Sequence, residues 1–183
     1  PKRLVGSGER PINALRDNGI EYVEIRALDN NIYDPFGISD ETAIFLESFL
    51  FYCLLSEDQP CDADEIKKIQ RNWGNVVLFG RDEDLKLQFK EGSIPLRDKA
   101  AEILDEMTNF ESRIGDQEYR NIFKKSLESQ RHKISDSNMT PSGKLLREIT
   151  ASGLSWDEYT DQIAKNHKEE ILRLKKDVGY LEK

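Results

Sequence analysis

In the run Glu21-Tyr22-Val23-Glu24-Ile25-Arg26-Ala27-Leu28-Asp29 a carboxylate and a guanidinium stand two residues apart among apolar, partly β-branched neighbours. On an extended backbone successive side chains alternate, so Tyr22, Glu24, Arg26 and Leu28 share one face while Val23, Ile25 and Ala27 share the other. The second face reads as core. The first offers the two groups that a phosphate-handling site uses, because Glu24 can hold Mg²⁺ through oxygen and Arg26 can fork onto a phosphoryl group. The same pattern also fits an edge strand with one face in water, where Glu24 and Arg26 make a weak surface pair.

Elsewhere residues with reactive side chains are sparse. Cys53 lies in an aromatic and aliphatic run, where a free thiol behaves as a small hydrophobe, and Cys61 follows Pro60 in a loop-like stretch with no His or Lys beside it. His167 has no second His or carboxylate at i±4 and reads as a boundary or packing residue; His132, between Arg131 and Lys133, reads as solvated. Trp73 and Trp156 read as core or interface anchors before ligand platforms, and Gly6-Ser7-Gly8 as a turn.

A strand must be positioned by other elements, since one strand cannot satisfy its own backbone groups. A second alternating run, Leu85-Lys86-Leu87-Gln88-Phe89, either pairs with the first or completes with it a sheet whose other strands lie outside this chain. The rest reads as helix. Ser39 is an N-cap followed by Asp40 and Glu41, opening a helix through Leu55 that is apolar on nearly all sides and is expected to be the central buried helix. Ile66, Ile69, Trp73, Val76, Val77 and Gly80 recur at helical spacing, so residues 62–80 read as one helix closed by Gly80; the rival reading makes 75–79 a strand.

Further helices are expected after Pro95, with Ala100, Ile103, Leu104 and Met107 inward, and over residues 116–130, with Tyr119, Ile122, Phe123 and Leu127 inward. Residues 133–139 are the most loop-like. Thr140-Pro141 opens a helix ending before Gly153, and the capping box Ser155-Trp156-Asp157-Glu158 opens a last one through Lys175. The fold class is mainly α with a small β portion (α+β).

The chain has 183 residues, 37% hydrophobic and 34% charged. That length supports one domain, and no stretch has linker composition. A net charge of −8 with pI near 5.0 opposes nucleic-acid and anionic-membrane binding. The apolar run 43–55 is too short to span a bilayer.

Gly8-Glu9-Arg10-Pro11, Ile12 to Leu15, Gly19 to Asp29 and Asp34-Pro35-Phe36-Gly37-Ile38 together resemble a segment of the bacterial glutamate–cysteine ligases (γ-glutamylcysteine synthetases). Phe45-Leu46-Glu47-Ser48-Phe49-Leu50-Phe51-Tyr52-Cys53-Leu54-Leu55 and Asn72-Trp73-Gly74-Asn75-Val76-Val77-Leu78-Phe79-Gly80-Arg81 are similar to the next two landmarks. In that family the segment lies in the C-terminal part of a longer chain. Beginning Pro1-Lys2-Arg3 without Met, this chain is expected to be a C-terminal fragment of a glutamine-synthetase-like ligase fold, with an active-site strand and loops over 1–38 and a helical region over 39–183.

The resemblance implies ATP-dependent joining of the γ-carboxylate of L-glutamate to the amine of L-cysteine through γ-glutamyl phosphate, the first step of glutathione biosynthesis, in the cytoplasm. It implies Glu24 as a Mg²⁺ ligand, with Mn²⁺ as a substitute, and Arg26 as the cation on the phosphoryl group of ATP. The remaining site residues would come from the N-terminal part, so the fragment alone is expected to fold yet be inert. Two alternatives stay open: a related glutamine-synthetase-like carboxylate–amine ligase of other substrate, and a non-catalytic helical interaction module.

Overall fold

The computed structural model describes residues 2–57 and 60–177. Contacts divide the chain into two compact units, Pro1–Asn30 and Asn31–Lys183.

The first unit is built around α1 (Pro11–Asn18), which the sequence reading passed over although both its end signals are present. Pro11 occupies the first helical position, where its missing N–H costs nothing, and Gly19 ends the helix at φ 76°. Arg3 closes the same end, donating from Nε to the Gly19 carbonyl (2.8 Å) and from Nη2 to that of Asn18 (2.7 Å). Cations suit the carbonyl-bearing end of a helix.

The expected strand over 21–29 does not form. Only Tyr22 pairs, in an isolated antiparallel bridge with Lys2 in which Lys2 N donates to Tyr22 O (2.8 Å) and Tyr22 N to Lys2 O (3.2 Å). A ladder needs a partner along its length, and the unit provides one residue of arm. The expected core face is open as well: Val23 is 51% exposed and Ile25 38%.

In the second unit, α2 (Asp40–Leu55) is capped as expected, Ser39 Oγ accepting from Thr42 N (3.2 Å). α3 (Ala63–Phe79) is one helix, with an Asp62/Glu65 capping box and Gly80 at its end; 75–79 is not a strand. The Leu85–Phe89 run yields β1 (Lys86–Gln88), which pairs antiparallel with β2 (Ser93–Pro95) in the register Leu87↔Ile94. Asn72 of α3 serves β1 as a surrogate strand, accepting from Gln88 N and donating to Gln88 O, both 2.8 Å.

α4 (Leu96–Thr108) and α5 (Gln117–Ser135) carry the core: Leu104, Met107, Phe123 and Leu127, against which Ile44, Phe45, Phe49 and Tyr52 of α2 pack half-buried. Thus α2 is not the buried central helix. Neighbours cover one side, while Leu50, Phe51, Leu54 and Leu55 are exposed, Leu54 by 75%. Cys53 shares that fate: both cysteines are free and exposed.

The 133–139 stretch is less loop-like than expected, because α5 continues to Ser135 with Ile134 against the core, and Ser137–Met139 forms a 3₁₀ turn. α6 (Pro141–Ser152) begins at the Thr140 cap and stops at Gly153, whose φ of 67° is the left-handed value that glycine adopts without strain. α7 (Trp156–Asp177) opens with the expected capping box, Glu158 N donating to Ser155 Oγ (3.3 Å) and Ser155 N to Glu158 Oε2 (2.9 Å). Trp73 and Trp156 anchor no core here; they are 64% and 57% exposed.

Candidate functional site

Glu24 and Arg26 meet. Arg26 Nε donates to Glu24 Oε1 at 2.5 Å, and Lys2 Nζ stands 3.4 Å from Glu24 Oε2, so each carboxylate oxygen faces a cation. The Lys2–Tyr22 bridge brings Lys2 alongside. The Arg26 hydrogen bond holds the Glu24 carboxyl below the usual range against an opposing desolvation, with the charge of Arg26 and then Lys2 adding to it, and the same contact raises the already high pKa of Arg26. Glu24 is therefore held in its ionised form, with both oxygens facing cations of the chain itself, and Arg26 stays charged.

The Arg26 side chain is 75% exposed. Its Nε is the atom occupied, so among the described residues both terminal nitrogens are left for a bidentate partner. As it stands the pair is a solvent-facing ion pair, the weaker of the two readings, worth little by itself. A Mg²⁺ at phosphates is commonly held by one or two carboxylates with waters and phosphate oxygens. Among the described residues no group of three His, Cys, Asp or Glu converges. Glu24 fits as a single ligand of such an ion, not as a site.

A second polar cluster, within the 31–183 unit, was invisible to sequence reading. Tyr33 and Tyr159 both donate their phenols to Glu148 Oε2, at 2.7 and 2.5 Å, and Lys144 Nζ sits 3.8 Å from the centroid of the Tyr33 ring. The two phenols draw the Glu148 carboxyl below its usual range; desolvation and then Glu148 push Tyr33 well above the ordinary phenol value. His167 Nε2 lies 2.8 Å from the Ile32 carbonyl, a packing role as expected. The cluster ties the 31–37 turn to α6 and α7. Its members are 115 and 11 residues apart, so no local motif signals them.

The described chain is thus a mainly helical α+β piece that carries an exposed acid–guanidinium pair, Glu24–Arg26. Comparison with known proteins narrows the reading. The glutamate–cysteine ligase family model matches residues 1–76. A glutamate–cysteine ligase of Pseudomonas fluorescens is 32% identical over 169 residues, 92% of this chain and 32% of that protein, and one of Azotobacter vinelandii is 36% identical over 173 residues. The crystal structure of the Francisella tularensis glutamate–cysteine ligase in complex with AMP superposes with a TM-score of 0.78 at 32% identity, over 93% of this chain and 33% of that one. The chain thus resembles the bacterial glutamate–cysteine ligases along nearly all its length and spans about a third of theirs. Among the described residues no helix is long and apolar enough to cross a membrane.

Proposed function

We propose that this chain is the C-terminal part of a cytoplasmic, ATP-dependent ligase that joins the γ-carboxylate of L-glutamate to the amine of L-cysteine through γ-glutamyl phosphate, the first step of glutathione biosynthesis. The observation that carries the reading is the likeness, over 93% of the chain, to a solved ligase of that name holding AMP.

In this reading Glu24 is one ligand of a Mg²⁺ ion, or of Mn²⁺ in its place, and further ligands come from polypeptide outside this chain. The ion supplies neutralisation of triphosphate charge. Arg26, held at Nε by Glu24, presents its two terminal nitrogens to the phosphoryl group as charge builds on the equatorial oxygens. The Arg26 hydrogen bond keeps Glu24 ionised, and Lys2, 3.4 Å from the other carboxylate oxygen, helps to orient it. The order of events balances: the glutamate γ-carboxylate oxygen attacks the γ-phosphorus of ATP and ADP leaves; the cysteine amine then attacks the acyl carbon, phosphate leaves and the amine loses a proton.

The test combines the chain with polypeptide matching the remaining two thirds of a relative and measures ATP-dependent formation of γ-glutamylcysteine. Activity is expected from the mixture and from neither component. Arg26→Ala should cut turnover by about 10³ to 10⁵ while shifting the glutamate KM far less, and Arg26→Lys should rescue poorly for want of a planar fork. Near-normal turnover of Arg26→Ala removes Arg26 from the chemistry, and activity from the chain alone overturns the placement of the site.

A further inference from the structure

α3 is docked by its polar edge and open on its apolar side. Ile66, Ile69, Trp73, Val76 and Val77 follow one another at intervals of three, four, three and one. On a helix turning about 100° per residue these positions fall within one stripe about 100° wide, the pattern of a helix that buries that face. Here the five are 47%, 55%, 64%, 39% and 67% exposed. The engaged side carries Lys68, which donates to the Phe89 carbonyl (3.1 Å), and Asn72, paired with Gln88. The helix itself is firmly begun, since Asp62 accepts from both Asp64 N and Glu65 N at 2.9 Å.

We infer that this stripe is the docking face for the polypeptide corresponding to the two thirds of the ligase relatives that this chain does not span. The inference rests on the ligase reading above and names the surface through which its partner is held. The chain accounts for 33% of the Francisella enzyme, so that protein carries about twice as much polypeptide outside the matched region. The family match runs to residue 76 and takes in four of the five stripe residues. A net charge of −8 works against an anionic bilayer as the occupant.

Trp73 reports on the face directly, because the chain has two tryptophans and Trp156→Phe leaves Trp73 alone. The 183-residue chain in that background is titrated with the non-matching two thirds of the Francisella ligase, following Trp73 emission and, by calorimetry, Kd. A blue shift is expected on binding. Val77→Glu should raise Kd at least about thirty-fold, the scale of an interface hot spot, whereas Leu146→Glu, at an exposed apolar residue outside the stripe, should leave it within about two-fold. Unchanged circular dichroism of each variant excludes misfolding as the cause. Absence of binding, or binding indifferent to Val77→Glu, overturns the inference. So does a dimer of the chain alone that Val77→Glu disperses, which assigns the face to a second copy. If the complex forms through the stripe yet makes no γ-glutamylcysteine, the docking face stands and the ligase reading falls; if the mixture is active and Val77→Glu changes nothing, the reverse holds.

Discussion

Phe123→Ala tests where the energy of the 31–183 unit resides. Phe123 is 2% exposed on α5, beside Leu104, Met107 and Leu127, with Phe45 and Phe49 of α2 packed against the same cluster. Truncating a buried Phe removes its transfer free energy and leaves a cavity, together about 3–5 kcal/mol. Domain stabilities are only about 5–15 kcal/mol. Among the described residues just four buried hydrophobic side chains belong to this cluster, so little else compensates. With a urea slope of about 2 kcal/mol/M, the unfolding midpoint should fall by about 1.5–2.5 M. Leu54→Ala truncates a large apolar side chain that is 75% exposed, and should cost no more than about 0.5 kcal/mol. The assay is urea unfolding followed by far-ultraviolet circular dichroism on both variants and the parent. A midpoint for Phe123→Ala within about 0.5 M of the parent would refute the placement of the core. Equal losses from the two variants would show that the outward face of α2 is covered in solution.

Gly143→Ala is expected to destabilise by about 1–3 kcal/mol by overpacking, since a Cβ there would lie 2.4 Å from Ser137 O and 2.8 Å from Asn138 Cα, backbone atoms that cannot swing away; a thermal melt reads it. Glu148→Gln should cost about 1 kcal/mol near neutral pH by turning two charge-assisted hydrogen bonds into neutral ones. Because the folded carboxyl of Glu148 titrates below its usual value of 4.5, its contribution is complete above that value and is lost as the pH falls from there through the lower folded value, so parent and variant should differ in Tm at pH 7 and converge in acid. A constant difference across that range would remove the Glu148 charge from the account.

What was legible in the sequence was local, and what was not depends on neighbours. Ser39, Thr140-Pro141, Gly153 and the Ser155/Glu158 box announce helix ends because a cap is satisfied within three residues of itself. Pro11 and Gly19 announced α1 equally well, but the apolar period between them spans only eight residues, and the reading passed it over. The 21–29 run kept its alternation and lost its strand, because alternation states a preference for a pleated surface while pairing requires a second chain segment, and only Lys2 supplies one. The pair at its centre survived that loss: Glu24 and Arg26 are close enough in sequence to meet without a sheet. For the helices, periodicity says that a face is to be covered and never by what. α4 and α5 find their cover in each other and in one side of α2, so Leu104, Met107, Phe123 and Leu127 of their stripes end at a few per cent exposure. α3 carries an equally regular stripe and finds none among the described residues. A stripe of that length left in water gains nothing from its regularity, since an exposed surface helix is as well served by scattered polar residues. The pattern is therefore evidence for the partner itself, and Val77→Glu, which disturbs the stripe and nothing buried, is the substitution that distinguishes a docking face from an idle one.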